Sequence, residues 1–182
     1  VRVYASGRIY RGHWQNNRRR GHGVNVFPSE ARYIGDHAND QYDGHGLYTW
    51  PNGTQYKGDY KRGAKNGKGL PVKPNGTLYG GDWVDNERHG HGTLIKADGR
   101  RYRGHWKGDD RDGEGMWHYP DGSCAQGERT HRALVAGTVV RHRAGDTPCC
   151  LDVPCRACAV VAAAADIVCT GARPVVCEII HV

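Results

Sequence analysis

Between residues 10 and 124 the apolar positions come in short alternating runs and never in long ones. In Tyr79-Gly-Gly-Asp-Trp83 and Tyr102-Arg-Gly-His-Trp106 a ring stands at each end with a Gly between them. At period 2 the two rings and that Gly share one face of a strand. A Gly there leaves room for close packing, expected from rings of the neighbouring unit. A second run, Gly44-His-Gly-Leu-Tyr-Thr-Trp50, alternates as well and reads as a return strand. The polar stretches Gln15 to Arg20, Val84 to His89 and Lys107 to Asp112 lie between the two runs and read as turns. Pro51-Asn-Gly53, Pro74-Asn-Gly76 and Pro120-Asp-Gly122 close the return strands, because Pro presets φ and Gly accepts a positive φ. The predicted elements are β-hairpins joined by second turns.

The pattern repeats. Tyr10, Tyr33, Tyr56, Tyr79 and Tyr102 stand 23 residues apart. Gly12, Gly35, Gly58, Gly81 and Gly104 follow each by two positions, and Trp14, His37, Tyr60, Trp83 and Trp106 by four. Paired glycines keep the same register, from Gly21 and Gly23 in the first unit to Gly113 and Gly115 in the fifth. Gly53, Gly76, Gly99 and Gly122 recur near the unit ends, with Glu30 as the exception. An isolated hairpin is marginal in water, so stacking has to stabilise the array. Two strands per unit give a rise of about 10 Å, hence a ribbon of roughly 50 Å for five units.

This unit resembles the MORN repeat, the 23-residue Tyr-x-Gly-x-Trp, Gly-x-Gly hairpin. The resemblance covers residues 10 to 124 as five units. It implies an all-β fold, an elongated single-layer twisted antiparallel sheet of stacked hairpins. Val1 to Ile9 read as the back half of a further unit, so the sequence is expected to begin inside a repeat. A sixth unit starts after residue 124 and fails, since Ala125 and Arg129 replace the rings. Within the array, His37 stands where a ring is expected. Pro71 and Lys73 should weaken pairing of the third return strand. The family resemblance also suggests acidic phospholipid as a ligand in some members. In lipid kinases and a lysine methyltransferase, similar arrays stand beside a separate catalytic domain, which nothing after residue 124 resembles.

Composition then divides the chain. Residues 10 to 124 hold 22 of the 27 Gly but only 11 Leu, Ile, Val or Phe, whereas residues 125 to 182 hold 15 of that aliphatic set and no ring. In this last segment Asp152 can N-cap a helix over Ala157 to Val168, ended by Gly171, and Val175 to Val182 reads as a short strand. A helix and strand there would cap the exposed ribbon end. The competing reading is a poorly folded tail. No run approaches the roughly 18 apolar residues of a membrane span, and no secretory leader pattern is present. With clustered thiols that do not form a whole-chain disulfide framework, this predicts an intracellular protein, cytoplasmic or peripheral to a membrane.

Candidate chemistry follows from the residue types. Cys149, Cys150, Cys155 and Cys158 offer zinc-type ligands, but a second Cys-x-x-Cys is missing and the spacing is irregular, so buried or incidental thiols are the plainer reading. His22, His45 and His91 fall about 10 Å apart, too far to share a metal ion. No catalytic triad, phosphate loop or paired-carboxylate pocket is fixed by motif, so neither catalysis nor a cofactor is expected. The aromatic stripe of Tyr10, Trp14, Tyr33, Tyr56, Tyr60, Tyr79, Trp83, Tyr102 and Trp106 is expected to form a groove for a peptide or helix of a protein partner. Alternatively, a sheet edge pairs with a second copy. Net charge is +7. Arg18, Arg19, Arg20, Lys57, Lys61, Arg62, Lys65, Lys68, Arg100, Arg101, Arg103 and Lys107 form basic clusters that would stack into a strip for an anionic membrane surface. The plainer reading is a solvated set of turns, interrupted by Asp109, Asp110 and Asp112. Nucleic acid is disfavoured because the rings pack between units and are not displayed for base stacking.

Overall fold

A computed structural model describes residues 1–130 together with the short strand segments 133–134, 140–142 and 178–179. Strands β1 to β12 follow chain order across one antiparallel sheet. After β1 (Arg2–Val3), each unit contributes an outgoing and a return strand. These are β2 (Ile9–Gln15) and β3 (Arg18–Val26), β4 (Arg32–Ala38) and β5 (Gln41–Thr49), β6 (Gln55–Lys61) and β7 (Ala64–Val72). Next come β8 (Leu78–Val84) and β9 (Glu87–Ile95), then β10 (Arg101–Lys107) and β11 (Asp110–His118), and β12 (Cys124–Thr130) opens the failed sixth unit. Beyond β12, backbone pairing continues through β13 (Ala133–Leu134), β14 (Val140–His142) and β15 (Glu178–Ile179). The helix expected over 157–168 lies outside the described residues. So do Cys149, Cys150, Cys155 and Cys158.

Two turn types alternate. Within each hairpin only two residues turn, not the whole polar stretch. Asn16 and Asn17, Asn39 and Asp40, Arg62 and Gly63, Asp85 and Asn86, and Gly108 and Asp109 all hold positive φ. Two left-handed residues in succession make the tight hairpin whose twist matches the strands. The remaining polar residues belong to the flanking strands. Between hairpins, Gly53, Gly76, Gly99 and Gly122 take the positive φ that the Pro-Asn-Gly pattern requires. Asn52, Asn75, Asp98 and Asp121 each accept a bond from the backbone N–H two residues on. The turn at Tyr4–Arg8 makes the same pair of backbone bonds as that at Trp50–Thr54. Pro71 acts as expected: the β7–β8 ladder skips Leu70 and Pro71 and resumes in the same register at Val72 and Leu78.

Each return strand is longer than its partner, and the register shifts just after the glycine pair. The first Gly of each Gly-x-Gly sits at this bulge with φ between 59° and 103°. The second Gly faces the outgoing Gly, so a glycine row crosses the sheet from Gly12 to Gly127. The core lies on that row. Tyr10, Tyr33 and Tyr56 are fully buried, and Tyr79 and Tyr102 nearly so. Each Tyr lies over the glycine pair of its own hairpin, not of its neighbour as expected from sequence. A Cβ on Gly23, Gly46 or Gly115 would fall inside the ring of Tyr10, Tyr33 or Tyr102. The hydroxyl then donates to the backbone carbonyl three residues on, as in Tyr33 Oη to Asp36 O at 2.9 Å. The neighbouring unit supplies edge-on rings: Tyr56 meets Trp83 at 5.4 Å and Tyr79 meets Trp106 at 5.2 Å between centroids. Trp83 and Trp106 donate Nε1–H back to the carbonyls of Gly69 and Gly92.

Candidate functional site

The expected partner-binding stripe is largely the core. Among its members Tyr60, Trp83 and Trp106 are 6 %, 6 % and 4 % exposed, and only Trp14 is half-buried. A single-layer sheet has no second layer, so its largest rings must cover each other. The groove reading therefore moves outward, to rings that stand on this core. Tyr42, Tyr48, Trp50 and Trp117 are half-buried and pack against it. Tyr42 stacks on Tyr33 at 3.7 Å, and Tyr48 touches Trp50 at 4.5 Å and Phe27 at 6.2 Å. Burial pushes the Tyr42 hydroxyl up to about 12.

A second layer of the ring face went unread in the sequence. Arg19, Tyr42, Lys65, Arg88 and Arg111 occupy one position, nine residues after each leading Tyr. The cations lie over the rings. Arg88 stands 4.2 Å from Trp106, and Lys65 lies 4.9 to 5.3 Å from Trp50, Tyr56 and Trp83. Burial lowers the Lys65 ammonium below the ordinary lysine range, with only Asp109 acting against it. Arg19, Lys65 and Arg88 also clasp the next unit. Arg88 donates through its backbone N–H and Nε to Asp109, and Arg19 does the same to Asp40. Lys65 N–H donates to Asn86. Burial pushes the Asp109 carboxyl up, but the backbone and side-chain bonds from Arg88 outweigh it and hold the group below the usual carboxylate range. Two of the expected membrane-facing cations, Arg19 and Lys65, are thus structural.

The other basic residues do not form one strip. Arg62 lies in a hairpin turn and Arg18, Lys61 and Lys107 flank such turns, whereas Arg100 sits at the opposite strand ends and pairs with Asp98. Arg20 bonds to Gln15, and Lys68 to Asp82. Lys57, Lys68 and Arg103 within their strands, and Arg101 at the start of β10, lie on the face opposite the rings. Nor do the histidines stand unpartnered. His22 meets Asp36 at 3.3 Å, His45 meets Asp59, and His91 packs on His105 at 3.9 Å. These Asp residues each accept a backbone N–H from their own return strand, as His91 N to Asp82 Oδ2 at 3.1 Å. No group of three or more metal-type ligands occurs among the described residues.

His37 fills the ring position of the second unit with a polar network. Its Nδ1 lies 3.1 Å from the Gly35 carbonyl, and its Nε2 lies 2.8 Å from Asn25 Nδ2. Asn25 Oδ1 accepts from Arg19 Nη1. These partners assign a neutral ring with the proton on Nδ1. The ring position of the third unit is less well served: Tyr60 Oη finds no hydrogen-bond partner among the described residues. No helix among them is long and apolar enough to cross a membrane.

The SAS-4 TCP domain of Drosophila melanogaster, solved with a proline-rich motif of Ana2, is similar at a TM-score of 0.48 and 11 % identity, covering 77 % of this chain and 74 % of that one. A mutant TCP10 domain of Danio rerio CPAP gives a TM-score of 0.44 and 17 % identity, covering 78 % of this chain and 70 % of that one. No curated protein matches the sequence. The model of the MORN repeat matches residues 10–32, 33–55, 56–78, 79–100 and 102–124. With five consecutive matches over most of its length, the chain belongs to the MORN-repeat family.

Proposed function

We propose that the chain is a non-catalytic scaffold that holds a protein partner on the outer rings of its aromatic face. One observation carries this reading. Phe27, Tyr42, Tyr48 and Trp50 form a continuous half-buried cluster standing on the closed Tyr33 and Tyr56 core. Rings already fixed by packing lose little freedom on binding, and such anchors dominate interface energetics. The test pairs affinity capture and sedimentation velocity with thermal melting. Tyr48→Ala with Trp50→Ala should abolish partner capture or self-association while the array still melts cooperatively. Undiminished association in that folded variant would remove the ring face as the contact. Trp83→Ala and Trp106→Ala are unsuitable probes, because those rings hold the units together.

A further inference from the structure

The face opposite the rings is built as well, and differently. The ladder registers place Val24, Ile34, Leu47, Lys57 and Leu70 in one line across β3 to β7. A parallel line one register step away runs through Arg32, Leu78, Ile95 and Arg101. From β2 to β10 these two lines contain Arg and Lys but no carboxylate. Arg32, Lys57 and Arg101 are exposed, as is Leu70 at 41 %. Ile34, Leu47, Lys57 and Leu70 line a shallow trough of about 880 Å³. Asp59 lines one wall of it, in a row with Asp36 and Asp82, and the three pair with His45, His22 and Lys68 respectively.

We infer that this trough is a second docking surface, for an acidic amphipathic helix of a protein partner. Two features select that occupant. The first is spacing. Strands stand about 4.8 Å apart and a helix rises about 5.4 Å per turn. A helix lying along the trough therefore sets one apolar residue per turn against one strand. Val24 to Leu70 spans about 19 Å, or about 13 helical residues. The second is charge. The two aliphatic lines carry cations and no carboxylate, and the Asp59 on the trough wall lies against His45, so the floor complements a helix with Leu-type residues on one face and Glu or Asp beside it. A flat anionic bilayer fits less well, because a plane of headgroups does not enter the trough where Ile34, Leu47 and Leu70 lie.

The test uses the full chain and a fluorescein-labelled peptide of about 18 residues, long enough to span the trough. Leu recurs at every third or fourth position of the peptide, and Glu flanks that face. Anisotropy titration should show saturable binding that weakens as salt is raised. Lys57→Glu and Leu47→Glu should each weaken it at least tenfold, whereas Lys107→Glu, at a hairpin turn, should leave it unchanged. Equal binding of a scrambled peptide of the same composition would overturn the inference. So would unchanged affinity in folded Lys57→Glu and Leu47→Glu chains. Anionic vesicles that bind in a Lys57-dependent way while the peptide does not would replace the helix with a membrane. The Tyr48 and Trp50 substitutions lie on the other face and should leave peptide binding intact, so the two surfaces succeed or fail separately.

Discussion

Glu30 holds a φ of 68° in the turn where the later units have Gly. The Phe27–Ala31 backbone bonds match those of the other turns, so the turn forms around an unfavourable residue. Glu30→Gly should stabilise the chain by about 0.5–1 kcal/mol, the usual scale of a left-handed non-glycine residue. A rise in the urea midpoint at unchanged slope checks it. His37 makes a pH prediction. Burial lowers its pKa and Arg19 adds to this, while the Gly35 and Gly21 carbonyls and the Asp36 charge oppose it only in part. The unfolded chain therefore binds the His37 proton at a higher pH than the folded chain. Stability from this site is full above about pH 6.5 and falls as pH drops towards the folded value. Protonated Nε2–H would also face the Asn25 amide donor. Relative to His37→Tyr, the native chain should lose melting temperature between about pH 7.5 and about pH 5.5. An equal pH response in both chains would contradict the buried neutral ring. Both positions stood out in the sequence as breaks in the repeat. What the sequence did not offer was the partner of His37, because Asn25 sits in a return strand whose position varies from unit to unit.

At the scale of one hairpin, the Tyr and its glycine pair form the unit of stability. Adjacent residues make this testable. A Cβ at Gly81 would lie 2.5 Å from Tyr79 Oη and 2.6 Å from the Gly92 Cα, whereas a Cβ at Gly80 meets nothing nearer than Leu70 Cδ1 at 3.6 Å. Gly81→Ala should destabilise by about 2–3 kcal/mol, the upper range for overpacking. Gly80→Ala should be neutral or stabilising by up to about 1 kcal/mol, since Gly weakens a strand interior. Chemical denaturation of the two single variants gives the comparison, and equal losses would refute the stacking of Tyr79 on its own glycines. Element by element, the hairpins were legible because period 2 and the Pro-Asn-Gly turns are local signals. The clasps were not. Arg19 with Asp40, Lys65 with Asn86 and Arg88 with Asp109 are each separated by 21 residues. That spacing shows only when the residue after the first turn is compared with the next turn, and in the second unit Tyr42 replaces the cation.

Across the whole molecule, contact runs from neighbour to neighbour. Each return strand meets the following outgoing strand in one uninterrupted antiparallel sheet, so stability accumulates as unit terms plus nearest-neighbour terms. The 23-residue period made this architecture readable, because a pattern repeated five times leaves no choice of register. The two functional faces were readable only in part. The aromatic stripe was visible, but burial divides it into a closed inner layer and an accessible outer one. The opposite face emerges only after the strands are laid side by side, since its residues are far apart in the chain. The clasps have a further consequence. Gly63 N–H donates to the Tyr42 carbonyl, and Asn86 N–H to the Lys65 carbonyl, in the same geometry. Remove residues 56 to 78, and Asn86 arrives where Gly63 had been, facing the same carbonyl. The molecule can therefore shorten or lengthen by whole repeats, as by duplication or loss of a segment of its gene, with every joint rebuilt from parts already present.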